Sequence, residues 1–343
     1  MNEQHARPRL ADLGVAAGSS RRGPNNAITD VPGVRVGHST LCTDTFSTGV
    51  TSIVPDALGA RRKQLPAGLS IANGYGKLIG ATQLQELGTI ETPVLLTSTL
   101  SAFRVADALV AFMLEQPGYE DTTSLNPLVG ETNDSHLSDI RKRPVNESMV
   151  RESLATAVSG PVAEGGIGAG TGTVALGFKG GIGTSSRIAR IGESECTIGA
   201  LVQSNFTGTL RIDGVEMPAN EMLAEDPAVG DGNSCMIVIA TDAPLDARQL
   251  GRVANRATFA LRGVGSDYSQ GSGDYAIAFS VGEGAPPRDS DLSPSFLAAI
   301  EATEEALINS VLQARTRVGF EGRSAKGIPI DGVRERLLRA RGR

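Results

Sequence analysis

The sequence predicts a single α/β domain of several layers. Three observations carry this. Strand and helix patterns alternate along the 343 residues without an internal repeat, a low-complexity block or a long linker. Residues 235–240, 246–263 and 275–280 read strand–helix–strand, a crossover unit whose two strands run parallel. The 42 glycines are spread through the chain, which fits many tight turns and close backbone approaches better than one flexible tail.

The elements follow in order. Residues 1–25 are polar and rich in Arg, Gly and Ser, and are expected to be a loose segment ahead of a single domain over 26–343. Ile28 to His38 reads as a turn followed by a strand, and Gly49–Val54 and Leu69–Ala72 as further short strands. Pro93–Thr97 is a compact buried strand leading into a helix from about Ser101 to Gln116, with Val105, Leu109, Phe112 and Met113 on one face and Pro117 as its stop. Two glycine-rich patches flank Thr173–Phe178, where alternation predicts a strand, and 197–205 predicts another. Asp246 is placed to cap a helix to Gly263. Ser293-Pro294 predicts the start of a long final helix, with Ser293 as cap, running to about Ala314.

Composition excludes several classes. The formal net charge is −6 and the basic spots (Arg21-Arg22, Arg61-Arg62-Lys63, the tail from Arg334 to Arg343) are scattered, so no nucleic-acid partner is expected. Met1 to Leu13 lacks an apolar core of the secretory kind, and no run approaches a membrane span, so no membrane partner is expected. Cys42, Cys196 and Cys235 show no paired spacing, which fits a reducing, cytoplasmic location.

The most informative stretch is Gly230-Asp231-Gly232-Asn233-Ser234-Cys235, followed at once by Met236-Ile237-Val238-Ile239-Ala240. A loop of small residues delivers a hydroxyl to the first position of a buried strand. Two readings stand on these residues alone. One is a glycine-rich turn into a core strand. The other is self-cleavage at Asn233–Ser234, which would leave Ser234 as an N-terminus carrying a nucleophile and a base on one residue. An α-amino group titrates at about 7.7–8.0. The parallel crossover also brings Ser234 and Gly271-Ser272-Gly273-Asp274 to the same end of one sheet.

With these pieces in place, the sequence resembles the self-cleaving DmpA-type aminopeptidases: L-aminopeptidase/D-esterases and β-peptidyl aminopeptidases, with nylon-oligomer hydrolases more distant. The resemblance runs from about Asn26 to Gly319. It rests on Asn26-Ala27-Ile28-Thr29-Asp30-Val31-Pro32-Gly33-Val34, Val36-Gly37-His38, Asn73-Gly74-Tyr75-Gly76, Glu91-Thr92-Pro93, Gly168-Ala169-Gly170-Thr171-Gly172, Phe178 to Thr184, Val202-Gln203-Ser204-Asn205, the Asn233-Ser234 junction, Gly271 to Asp274, and Glu301 to Ala306. It implies a four-layer α-β-β-α sandwich, shared with ornithine acetyltransferases, cut into residues 1–233 and 234–343 that stay together in a homo-tetramer or larger ring. It also implies peptidase family S58, a small peptide, amide or ester substrate, and no cofactor or metal.

The resemblance assigns roles residue by residue. Ser234 falls at the nucleophile, and Ser272 at a second serine near the nucleophile and its amine. Asp274 falls at an orienting acid, Asn205 at the oxyanion-hole amide and Glu131 at the carboxylate that receives the substrate ammonium. An aminopeptidase needs such a carboxylate for a charge-assisted bond, and a preorganised donor for developing oxyanion charge. Three positions depart from the pattern. Asn133 stands where some relatives have an aromatic wall, Asp274 where the β-peptidyl branch often has Glu, and Lys77 where an acidic residue is common.

Rival chemistries fit less well. Gly166-Ile167-Gly168-Ala169-Gly170-Thr171 lacks the third glycine of a dinucleotide fingerprint, and no Walker A sequence exists. Those glycines are expected at tight turns or packed against the nucleophile strand. His5, His38 and His136 show no ligand spacing, and His38 reads as a structural residue at a strand end. Met236 spoils a G-x-S-x-G elbow around Ser234, and Cys235 reads as a small buried hydrophobe. Two alternatives stay open: an acyltransferase of the ornithine-acetyltransferase kind, and an uncleaved binding or scaffold protein, for which Asn133 speaks.

Overall fold

The structure, a computed structural model, describes residues 7–59, 61–224, 226–228 and 233–342. His5 and the loop Gly230-Asp231-Gly232 lie outside the described residues. The chain begins with strands β1 (Val34–Cys42), β2 (Ser47–Pro55), β3 (Leu65–Gly74), β4 (Thr89–Ile90) and β5 (Val94–Ser98). Helix α1 (Ala102–Leu114), strand β6 (Leu128–Thr132) and helix α2 (Glu147–Ala155) come next, then β7 (Ile182–Ile191) and β8 (Ser194–Asn205). The last part is β9 (Asn233–Thr241), α3 (Ala247–Gly263), β10 (Ser272–Ser280) and α4 (Ser293–Leu312).

Two sheets form, a four-stranded one in the order β1-β2-β5-β6 and a six-stranded one in the order β4-β3-β10-β9-β8-β7. They stack face to face with helices outside. Alternation along β9 shows why. Met236 and Val238 pack with Ile277, Phe279 and the first sheet's Ile53, Val94 and Leu96. Cys235, Ile237 and Ile239 pack instead with residues of α3 and α4 such as Leu250, Val253, Ala302 and Ala306. On the far side Val50, Leu95 and Val129 meet Val105 and Leu109 of α1 and Val150 of α2. The order is therefore helix, sheet, sheet, helix, the four-layer sandwich expected. A continuous apolar run such as 235–240 is what a strand covered on both faces requires.

Close approach sets the spacing of these layers. A Cβ on Gly183 would lie 1.9 Å from the Ala306 carbonyl oxygen, so α4 rests directly on the backbone of β7. Asp246 caps α3 as expected: its carboxylate accepts the Gln249 N–H at 2.7 Å while the Gln249 side chain accepts the Asp246 N–H at 3.2 Å. Such a reciprocal cap contributes about 1 kcal/mol.

Several expectations are corrected. Residues 7–25 are packed, not loose: Leu10, Val15 and Ala17 are buried, and the Arg9 guanidinium donates to the Asn26 and Thr184 carbonyls at 2.7 Å. Composition misled because the segment is anchored by its arginines. Thr173–Phe178 is not one strand but two two-residue strands, Val174–Ala175 and Phe178–Lys179, reversed at Leu176 and Gly177 with φ of 56° and 83°. Ser293 is the first residue of α4 rather than its cap, which is Leu292. A further amphipathic helix, Ile330–Ala340, buries Val333 and Leu337 where the tail had read as basic surface. The glycine patch packs on β2 and β7 instead of β9: a Cβ on Gly168 would lie 2.4 Å from Thr51 Oγ1, and one on Gly170 2.5 Å from the Ile182 nitrogen. His38 lies in the middle of β1, not at its end. Among the described residues no helix is long and apolar enough to cross a membrane.

Candidate active site

The strands of the crossover unit are adjacent and parallel, with Ser234 beside Gly273, Asn233 beside Ser272 and Cys235 beside Asp274. On its other edge β9 runs antiparallel to β8, and there Asn205 is the direct partner of Ser234. Five of the predicted site residues, Asn205, Asn233, Ser234, Ser272 and Asp274, are thus brought together by ladder register alone.

Ser234 is buried, and its hydroxyl donates to the carbonyl oxygen of Asn233. The hydroxyl oxygen therefore lies against the peptide group that joins Asn233 to Ser234. The Asn233 side chain is held from below by hydroxyls, 2.7 Å to Ser269 Oγ and 3.2 Å to Thr207 Oγ1. Asn205 accepts the Val174 N–H at 2.9 Å through its side-chain oxygen, which fixes the orientation of its amide. That orientation comes from the hairpin at Leu176-Gly177, so the glycine region serves the site through Asn205 and not by contact with β9.

Ser272 donates to Asp274 Oδ1 at 2.8 Å. The other oxygen, Oδ2, is buried with no hydrogen-bond partner. Burial raises the Asp274 carboxyl to about 6, although the Ser272 hydroxyl and the Cys235 N–H pull the other way. The register sets this pair on either side of Gly273, the ladder partner of Ser234. Neither is bonded to its hydroxyl among the described residues. Burial also pushes the Cys235 thiol well above its ordinary range, so it is an inert neighbour.

A cavity of about 300 Å³ opens beside Ser234, lined by Tyr75, Lys77, Thr99, Glu131 and Asn133 among others. Glu131 comes from β6 in the first sheet, so the cavity is built across the gap between sheets. Its Oε1 accepts the Lys77 N–H at 2.8 Å. Burial raises its carboxyl above the usual range, partly offset by the Lys77 N–H, the Thr99 hydroxyl and the Lys77 charge. The loop approaches closely at Gly76, where a Cβ would lie 3.2 Å from Glu131 Oε1 and 3.3 Å from Gly273 Cα. Tyr275 clamps the same loop by donating to the Gly76 carbonyl at 3.1 Å, and the Tyr75 N–H donates to Ser272 at 3.0 Å. Asn133 lines the cavity with its side-chain oxygen engaged by the Ser135 N–H at 2.9 Å, so its NH2 is the group left to offer.

Over residues 26–325 the sequence matches the family described as Peptidase family S58. The chain belongs to that family. It is 37% identical to the β-peptidyl aminopeptidase BapA of Sphingosinicella xenopeptidilytica, covering 98% of this chain and 92% of the relative. Two solved structures are similar throughout. The PH0078 protein from Pyrococcus horikoshii OT3 matches with a TM-score of 0.90 and 41% identity, over 98% of this chain and 100% of that one. The L-aminopeptidase D-Ala-esterase/amidase from Ochrobactrum anthropi, described as a prototype for the serine aminopeptidases and a variant of the Ntn hydrolase fold, matches at 0.87 and 34%, over 98% and 99%. Membership makes this chain a serine aminopeptidase of the N-terminal-nucleophile type.

Within that family frame, sequence reasoning missed Thr207, Ser269 and Thr99. Lone hydroxyl residues in loops carry no pattern, and only the fold brings Ser269 and Thr207 under Asn233. The tyrosines Tyr75 and Tyr275 were legible as residues of quoted segments but not as a wall and a clamp. His38 stays outside the chemistry: burial pushes its imidazole down to about 4, and Nδ1 shares a 3.0 Å hydrogen bond with Thr51.

Proposed function

We propose that the chain cleaves itself between Asn233 and Ser234 and then releases N-terminal residues from short peptides, amino-acid amides or esters. The observation that carries this reading is the Ser234 hydroxyl set against the Asn233 carbonyl at the mouth of a cavity holding a buried carboxylate.

In processing, Ser234 Oγ attacks the Asn233 carbonyl carbon. The C–N bond breaks, the hydroxyl proton passes to the Ser234 nitrogen, and an ester joins Asn233 to Ser234. Water hydrolyses the ester, leaving a hydroxyl on Ser234 and a carboxylate on Asn233 whose proton passes to the Ser234 amine. Residues 1–233 and 234–343 remain one domain because β9 is a central strand between β8 and β10. Asp274, buried with one oxygen unpartnered, then gains a cationic neighbour. Its charged form and the new ammonium favour each other, and Ser272 holds the carboxylate toward that nitrogen.

In turnover, Glu131 receives the substrate ammonium through a charge-assisted bond. The Ser234 amine takes the proton of its own hydroxyl as Oγ attacks the substrate carbonyl. Asn205 donates to the oxyanion. The leaving amine takes the proton, and water then releases the acyl group from Ser234. The same reading includes a homo-oligomer and a cytoplasmic location. Exposed Phe103 and Leu114 on α1 support the first, and the exposed free thiol of Cys42 supports the second.

The test is intact mass and denaturing electrophoresis of the purified protein beside Ser234→Ala, followed by p-nitroanilide hydrolysis. Two fragments, the smaller starting at Ser234, with a single chain in the variant, are expected. One uncut chain in both would overturn the mechanism.

A further inference from the structure

The cavity carries a second charge that amine recognition does not call for. Lys77 Nζ lies 3.9 Å from Glu131 Oε1 and donates to Thr99 Oγ1 at 2.8 Å. Its side chain is 40% exposed whereas that of Glu131 is 2% exposed. A free substrate ammonium bound to Glu131 would therefore meet a lysine ammonium already at the carboxylate. Like charges at such a distance repel, and a low-dielectric wall strengthens the repulsion. The conflict disappears when the substrate brings its own anion. Its ammonium then takes Glu131, and Lys77, on a flexible stem with three donors, turns to the anion. The Asn133 amide adds a donor on the same wall.

We propose that Lys77 is a specificity residue, and that it selects acyl groups bearing a carboxylate beside their ammonium, namely N-terminal aspartyl residues. The two charges fit the β-linked form best, because there ammonium and carboxylate share one carbon and span no more than the 3.9 Å Lys77–Glu131 separation. In the α-linked form one methylene lies between them. This rests on the aminopeptidase reading above, and it adds a substrate class to it.

The experiment compares processed wild type with Lys77→Gln, Lys77→Arg and Lys77→Glu on p-nitroanilides of β-linked aspartate, α-linked aspartate, alanine and β-alanine. In the wild type kcat/KM for β-aspartyl exceeds that for β-alanyl by about tenfold or more. Lys77→Gln lowers that ratio by about tenfold, mainly through KM. Lys77→Arg keeps the ratio and Lys77→Glu inverts it. An α-linked preference at least equal to the β-linked one would overturn the single-carbon match. A ratio unmoved by Lys77→Gln, or a gain on alanyl substrates alone, would overturn the selection and leave Lys77 as an internal stand-in for the substrate ammonium. If the wild type is uncut and inert to all four, the aminopeptidase reading fails and this proposal with it. If it is cut and hydrolyses the alanyl compound without favouring aspartate, this proposal alone fails.

Discussion

Two buried carboxylates, one on α4 and one on the six-stranded sheet beneath it, show how the same group serves opposite ends. Glu305, on α4, is enclosed by donors: Arg187 at 2.7 Å, the Arg22 guanidinium at 2.9 Å and the Asn26 amide at 2.8 Å. Burial works to raise its carboxyl, but those partners outweigh burial and hold it below the ordinary value. Asp274, on β10, has the Ser272 hydroxyl on Oδ1, the Cys235 N–H close by and no hydrogen-bond partner on Oδ2, and burial raises it to about 6. The first is complete in the folded chain and fastens the N-terminal segment to sheet and helix. The second is left incomplete until a cation arrives. A buried acid with every lone pair answered is architecture, and one with an orphaned oxygen beside a nucleophile is poised for chemistry.

The largest test of that contrast is Arg187→Met. It removes the buried guanidinium from Glu305 and leaves only the partly exposed Arg22 and the Asn26 amide as partners, so stability should fall by about 2–4 kcal/mol. Thermal and urea unfolding would show it, and a small change would mean the network is not architectural. Asn205→Ala orphans the buried Val174 N–H and should cost about 1–3 kcal/mol of stability, while kcat falls about 10²–10³-fold. A lowered KM with intact kcat would remove Asn205 from the oxyanion role.

The pH dependences should run in opposite directions. A carboxyl raised in the fold binds its proton more tightly there than in the unfolded chain. Asp274 therefore favours folding below the ordinary carboxylate range, and that contribution is lost as pH rises through about 6. Asp274→Asn removes the cost of the buried charge, so at pH 8 the uncut variant should melt no lower than uncut Ser234→Ala while its processing slows. Glu305 is lowered, so its contribution is present above the ordinary range and is lost as acid protonates it. Acid melting of Arg187→Met should consequently lack part of the wild-type slope. The smallest effect belongs to Arg151, whose pairs with Glu115 and Glu147 are exposed. Arg151→Ala should leave the melting temperature unchanged within error, because solvent screens such pairs.

Much of the fold was legible because strands covered on both faces and one-sided helices write their environment into a local pattern. The run 235–240, the cap at Asp246 and the crossover to 275–280 needed no distant information, and with the parallel rule they already placed Ser234 near Ser272 and Asp274. Local pattern failed where the partner is remote. Residues 7–25 look loose because their anchors are remote, on β7 and on α4. The hairpin at Leu176-Gly177 looks like one strand because its reversal depends on positive φ at a leucine as well as a glycine. The site shows the same division. Ser234 announced itself, and the family resemblance named Glu131, Asn205, Ser272 and Asp274.

The sequence by itself determined the residue types at the proposed site, the Asn233-Ser234 junction at the head of a buried strand, and the alternation that sends Met236 to one layer and Cys235 to the other. Tertiary structure decided which charges are answered. Whether a carboxylate is satisfied like Glu305, orphaned like Asp274 or shared with a lysine like Glu131 depends on groups brought from other layers to within a few ångströms, and electrostatics at that range is set by distance and burial, neither of which a linear sequence contains.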